Sequence, residues 1–169
     1  MQAKSPRESL TISTDMVLPG ETNPLNNLFG GELLARMDRA ASISARRHCN
    51  QIVVTASVNH VAFTKAVPLG SVITVEAKVS RAFKTSMEVF IDVWVEDTAS
   101  GEKMKANEGI YTFVAVDATG KPTVVPKIYP ETVSEKERFA AALRRKQLSL
   151  LLAGKIKPHD ASELKALFD

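Results

Sequence analysis

Two hydrophobic periodicities alternate along the chain and divide it into elements. A short apolar run from Leu10 to Leu18 closes at Pro19 and Gly20 and reads as a strand. The segment Glu21 to Gly31, ETNPLNNLFGG, is dense in Asn, Pro and Gly and reads as a loop set by turn chemistry. From Glu32 to about His48 helix formers take over, and Leu34, Met37, Ala41 and Ala45 recur on one face at helical spacing. The middle of this helix (Ala40, Ala41, Ser42, Ser44, Ala45) is small, so its backbone can lie close to whatever covers it.

Beyond Asn50 the period falls to two. Ile52 to Phe63 reads as a strand that breaks at Val67-Pro68-Leu69-Gly70. Ile73, Val75, Ala77 and Val79 alternate with Thr74, Glu76, Lys78 and Ser80, which predicts one buried and one wetter face. Met87 to Val95 repeats the pattern, with Phe90 and Trp94 adding apolar groups to the second face. A further strand runs from about Ala106 to Asp117. The connections Ala82 to Thr85 and Asp97 to Lys105 are short enough for antiparallel hairpins. The fold class is α+β, a curved antiparallel sheet wrapped around one long central helix. The apolar second face of the Met87–Val95 strand calls for a cover, by a second subunit or by the C-terminal tail.

That tail carries two helix signals. Ser134 with Glu137 matches a capping box, Phe139, Leu143 and Leu150 follow, and Gly154 sits where a C-cap glycine belongs. Asp160 with Glu163 repeats the capping pattern before Leu164, Leu167 and Phe168. The expected organisation is a flexible N-terminal lead (1–9), one domain (10–128) and a C-terminal helical extension (129–169).

Composition narrows the classes. Of 169 residues 44% are hydrophobic and 24% charged, enough core for one domain. A formal charge of +3 gives no strongly basic surface, so nucleic acid is not an expected partner. One cysteine, Cys49, leaves no intrachain disulfide and no Cys-based zinc site, and the dispersed His48, His60 and His159 have no metal-ligand spacing. No signal-peptide pattern opens the chain, and no stretch approaches the about 18 apolar residues of a membrane span. A soluble, cytoplasmic protein with no membrane partner is expected.

Candidate chemistry lies between Asn23 and Asp38. Gly30 and Gly31 stand where the loop enters the helix, with unpaired backbone N–H groups at the positive end of the helix dipole, a place that can hold negative charge on an oxygen. A turn that merely needs glycine is the plainer alternative. Asp38 falls one turn after Leu34 and one before Ala41 and Ser42, on or beside the apolar face, where a carboxylate needs partners or a task. A satisfied structural Asp and a general base or nucleophile of raised proton affinity in a low-water site both fit. Asn23, held extended by Pro24, offers an amide that donates without ionising, or simply punctuates a turn. Cys49 has only His48 beside it, and adjacent helical residues diverge, so a structural thiol is expected there.

The run PGETNPLNNLFGGELLARMD, followed by VTASVNHVAFTKAVPLG, KTSMEV and YTFVAVD, resembles the hotdog-fold acyl-CoA thioesterases, in particular the bacterial and cytosolic acyl-CoA hydrolase group, over roughly residues 10 to 128. The resemblance implies that Asn23 and Asp38 are the catalytic pair, contributed by different subunits of a hotdog dimer. It implies a hexamer built as a trimer of dimers, and thioester hydrolysis to free coenzyme A and a carboxylic acid without metal or redox cofactor. Ser57, Val58 and Asn59 match the strand that lines the pantetheine channel in that family, with Phe63 and Lys65 near its exit. Arg81, Lys84, Thr85 and Ser86, near a hairpin, are candidates for the coenzyme A phosphates, with a solvated hairpin end as the alternative. Many members carry His just before the glycine pair, where this chain has Phe29; the backbone donors of Gly30 and Gly31 are unaffected. A non-catalytic acyl-CoA-binding or regulatory module on the same fold is the rival reading. A hotdog dehydratase is a third, although such enzymes pair His with a carboxylate and the helix brings no His near Asp38 but His48.

Overall fold

The computed structural model describes residues 1–168. They form two compact units, Met1–Tyr129 and a second from Pro130 onward. In the first unit the elements run β1 (Thr11–Met16), α1 (Gly30–Cys49), β2 (Ile52–Phe63), β3 (Val72–Ala82), β4 (Ser86–Glu96) and β5 (Lys103–Val116). The strands make one five-stranded antiparallel sheet in the order β1-β3-β4-β5-β2. The β3–β4 and β4–β5 hairpins are those that the alternation predicts. The first and last strands of the order, β1 and β2, are the sheet edges.

α1 lies on one face of this sheet. Its buried side carries Leu33, Met37, Ala40, Ala41, Ser44, Ala45 and His48 and meets Ile73, Val75, Ala77, Val89, Ile91 and Phe113 from the strands in one core. Close approach is possible because of small residues on both sides: a Cβ placed on Gly109 of β5 would overlap Met37 Cε and stand 3.1 Å from Val61 Cγ2. Tyr111, also on β5 and 1% exposed, donates its hydroxyl to Leu34 O at 3.0 Å and ties the sheet to the helix one turn before Asp38.

The helix begins at Gly30, two residues before the Glu32 expected, because the first turn needs no helical partner for its N–H groups and so tolerates glycine. It ends at Asn50, whose left-handed conformation (φ 54°) caps it. Lys4 Nζ donates to His48 O at 2.7 Å and to Arg47 O at 3.3 Å, placing a cation on the last carbonyls of α1. Lys4 N also donates to Lys127 O, Tyr129 N to Lys4 O, and buried Ser9 Oγ accepts from Val79 N at 2.9 Å. Lys4 and Ser9 of the N-terminal lead are thus hydrogen-bonded to α1, β3 and the segment after β5, through partners too distant in sequence for any local pattern to reveal.

The wetter face expected for β3 is only partly so. Thr74 and Ser80 are buried; Thr74 Oγ1 shares a hydrogen bond with Thr14 Oγ1 at 2.9 Å, and Ser80 Oγ donates to Glu88 Oε1 at 2.6 Å. On the second face of β4, Glu88 and Phe90 are buried as well.

The second unit holds α2 (Val133–Leu152), a 3-10 turn at Pro158–Asp160 and a one-turn α3 (Ser162–Lys165). The cap of α2 lies two residues before the expected Ser134. Thr132 is its cap, accepting from Glu135 N while Glu135 Oε2 accepts from Thr132 N. Gly154, at φ +67°, follows its C-cap. Asp160 accepts from Lys157 N at 3.2 Å, so it closes the 3-10 turn and does not cap α3. No helix among the described residues is long and apolar enough to cross a membrane.

Candidate active site

Asn23 sits in the loop between β1 and α1, and the loop shapes itself around its side chain. Asn23 Oδ1 accepts from Leu25 N at 3.0 Å and from Asn27 N at 3.2 Å, while its backbone N–H donates to Asn27 O. With its carbonyl oxygen used by the loop, the Nδ2 amide is the part left to donate outward. Asn26, at φ 57°, makes the tight turn between them. Leu28 N to Val67 O and Leu69 N to Asn26 O fasten the loop to the β2–β3 connection. Glu21, two residues before Asn23, receives Leu18 N at 2.9 Å and Arg36 Nη2 at 2.7 Å, and its pKa is lowered chiefly by the Leu18 N–H and then by the Arg36 guanidinium.

Gly30 and Gly31 form the first turn of α1, the place predicted for the backbone donors. A Cβ at Gly30 would stand 3.1 Å from Phe63 Cζ, so Gly30 is where the far end of β2 comes down on the start of α1. Phe29 is exposed beside it.

Asp38, one turn beyond Leu34, accepts a hydrogen bond from Thr55 Oγ1 at 2.8 Å. It is half-buried, so in a single chain it is not in the low-water site expected of it. Its charge and, more strongly, burial push Tyr111 up to about 12. Thr55 escaped the sequence reading, since a threonine on an exposed strand carries no local signal and its carboxylate partner lies 17 residues away.

Thr55 and Phe63 stand near opposite ends of β2. The structure thus brings Asp38 to Thr55 at one end and Gly30 to Phe63 at the other, and the candidate residues do not meet within one chain. Between these ends Ser57 is half-buried, Val58 and Asn59 are exposed, and Asn59 Nδ2 donates to Ser57 Oγ at 3.1 Å. β2 is an edge strand with much apolar side chain uncovered: Ile52, Val54, Val58 and Phe63 are each about half exposed. Lys65 lies past the Phe63 end, lining a hollow of about 450 Å³ with Leu69, Glu96, Asp97 and Met104. The β3–β4 hairpin lies toward the Thr55 end, since Met87 and Thr55 both pair with Phe113. Arg81 stacks over the Phe83 ring at 5.8 Å, Lys84 is exposed, Thr85 O accepts from Ala115 N, and Ser86 is buried.

Burial raises the Cys49 thiol above its ordinary value, which makes its thiolate scarcer. No group of three His, Cys, Asp or Glu among the described residues could hold a metal ion.

A family model described as the thioesterase superfamily matches residues 25–102. A Bacillus subtilis protein named uncharacterized acyl-CoA thioester hydrolase YkhA is 41% identical over 139 residues, 82% of this chain and 81% of that protein. A hexameric acyl-CoA thioesterase crystallised without ligand superposes with a TM-score of 0.87 at 38% identity, covering 90% of this chain and 98% of that one. The acyl-CoA hydrolase of Staphylococcus aureus, solved with butyryl coenzyme A, coenzyme A and coenzyme A disulfide, gives 0.85 at 33% identity over 99% of both chains. Single-alanine variants of that enzyme at an asparagine, an aspartate and a threonine match with TM-scores of 0.83 to 0.84. The chain belongs to the thioesterase superfamily of the hotdog fold, within its acyl-CoA thioester hydrolases.

Proposed function

We propose that this protein hydrolyses acyl-CoA thioesters at a site made by two subunits, with Asp38, Thr55 and Asn23 as its acting side chains. The observation that carries the reading is the Thr55–Asp38 hydrogen bond, because of where its two residues stand in the chain. The asparagine, aspartate and threonine replaced in the staphylococcal enzyme follow one another at intervals of 15 and 17 residues, the intervals separating Asn23, Asp38 and Thr55.

The two ends of β2 supply the reason for a second subunit. If two copies of this edge strand pair antiparallel about a two-fold axis near Asn59, Phe63 of one protomer comes beside the partner's Thr55. The Asn23 loop and the Gly30 amides of one chain then face the partner's Asp38, and the half-exposed Ile52, Val54 and Val58 are covered. The hexameric state of a structural neighbour fits a trimer of such dimers.

In the proposed reaction Asp38 takes a proton from a water, and the water oxygen adds to the thioester carbon. Thr55, donating to Oδ1, turns Oδ2 toward that water. Asn23 Nδ2 and the N–H groups of Gly30 and Gly31 receive the oxyanion at the positive end of α1. The carbon–sulfur bond then breaks, the carboxylic acid stays behind, and the thiolate recovers the proton held by Asp38. No metal or redox group enters these steps. Ser57, Val58 and Asn59 form the wall along which the pantetheine chain runs, with Phe63 and Lys65 at its mouth. Arg81, Lys84, Thr85 and Ser86 are the proposed phosphate-side residues, of which Lys84 is the exposed cation.

The test is release of free thiol from acetyl, medium-chain and long-chain acyl-CoA esters, read with a thiol reagent. Turnover on at least one class, abolished in Asp38→Asn, is the expected result. Binding of coenzyme A with no thiol released from any ester would replace the enzyme by a binding module.

A further inference from the structure

A buried arginine joins the Asn23 loop to the helix that carries Asp38. Arg36 is 7% exposed, two residues before Asp38 on α1. Its Nη2 donates to Glu21 Oε1 at 2.8 Å, to Glu21 Oε2 at 2.7 Å and to Met16 O at 3.2 Å. Its Nη1 lies 3.3 Å from Asp15 Oδ2, an ion pair without hydrogen-bond geometry. Glu21 is held on a second side by Leu18 N, and its own carbonyl accepts from Phe29 N at 2.9 Å, across the mouth of the loop. One guanidinium therefore grips the last residue of β1, the carboxylate two residues before Asn23, and α1 itself.

A guanidinium placed there is costly unless it has work, because a buried cation loses its hydration and an aliphatic residue would fill the same space. The hydrogen bonds from Leu28 and Leu69 hold the far side of the loop, Phe29 N ties Glu21 to the start of α1, and Arg36 ties the Asn23 approach to the second turn of the helix. We infer that the Arg36–Glu21 pair is a positioning clamp that sets the direction in which Asn23 presents its amide, an inference that rests on the proposed role of Asn23. A donor displaced by about 1 Å costs up to a hundredfold in rate, so the clamp acts on turnover more than on substrate affinity.

The test compares Arg36→Met, which keeps the aliphatic stem and leaves Glu21 free to hydrate, in two backgrounds. In the otherwise native protein kcat falls on the order of tenfold or more with KM for acyl-CoA nearly unchanged, and Arg36→Lys recovers part of it. In the Asn23→Ala background the same change lowers kcat by less than about twofold, since the amide that the clamp aims is gone. Mixed oligomers add a second readout: an Arg36→Met chain recovers activity when assembled with an Asp38→Asn chain and not with an Asn23→Ala chain. An unchanged kcat, a raised KM with kcat untouched, or an equal loss in both backgrounds would overturn the clamp. If Arg36→Met does not assemble, Glu21→Gln carries the same comparison with a smaller loss expected and the same contrary results. Full activity of Asn23→Ala by itself would instead reject the role of Asn23, and so separates the two failures.

Discussion

Thr55 reaches from the edge strand β2 to the helix and donates its hydroxyl to Asp38 Oδ1 at 2.8 Å. In the proposed mechanism that bond leaves Oδ2 as the oxygen that takes the proton. Asp38→Asn is expected to keep the fold and to lose turnover by at least about a hundredfold, the usual contribution of a positioned base. Thr55→Val, which keeps the shape and deletes the donor, should cost on the order of tenfold in kcat. Steady-state kinetics on one acyl-CoA ester checks both. Near-native turnover in Asp38→Asn would remove Asp38 from the base role.

Asn23→Ala deletes both the loop's acceptor and the outward amide. Its expected effect is a fall of about a hundredfold in kcat with inhibition by product coenzyme A little altered. The opposite pattern, a weakened inhibition constant and intact kcat, would make Asn23 a binding residue.

Much of the scaffold was legible in the sequence because local physics decides it. The bounds of β2 follow from its two-residue alternation, and the helix from its repeated small and apolar face. Where two local signals compete, the sequence cannot arbitrate: Thr132/Glu135 and Ser134/Glu137 both fit a capping box, and the structure uses the first. Of the site, Asn23, Gly30, Gly31 and Asp38 stood out for their chemistry in place. Thr55 and Arg36 did not, since their meaning lies in contacts across the fold with Asp38 and Glu21. The anchoring of Lys4 at the end of α1 is invisible in the sequence for the same reason.

Gly109 sets the distance between sheet and helix. Gly109→Ala pushes a methyl group into Met37 Cε, which is fully buried, and against Val61. A destabilisation of about 1–3 kcal/mol is expected, measured as a lower urea midpoint at unchanged slope. No change in midpoint would mean that Met37 moves aside without cost.

His48 is 0% exposed, with Nε2 2.7 Å from Pro126 O and Nδ1 lacking a hydrogen-bond partner. Burial, first among the causes, holds its pKa below the ordinary histidine value, against the raising effect of the Pro126 carbonyl, with Lys4 lowering it and Glu8 raising it. The folded protein thus binds fewer protons than the unfolded chain once the pH drops through about 6.5, and stability is lost as pH falls from there. His48→Gln, which cannot titrate, should flatten the slope of urea midpoint against pH between about 7 and 5. The same slope in both proteins would assign the acid sensitivity to other groups.

The measurement that tests the shared site most directly is complementation between two inactive chains. Asp38→Asn and Asn23→Ala are each expected to show almost no thiol release alone. Unfolded and refolded together at equal amounts, half of the dimers are mixed, and each mixed dimer holds one site with both residues intact, so activity should return to about a quarter of the native value. No activity above that of the separate variants, in mixtures shown to have exchanged subunits, would mean that Asn23 and Asp38 do not act together across the subunit boundary.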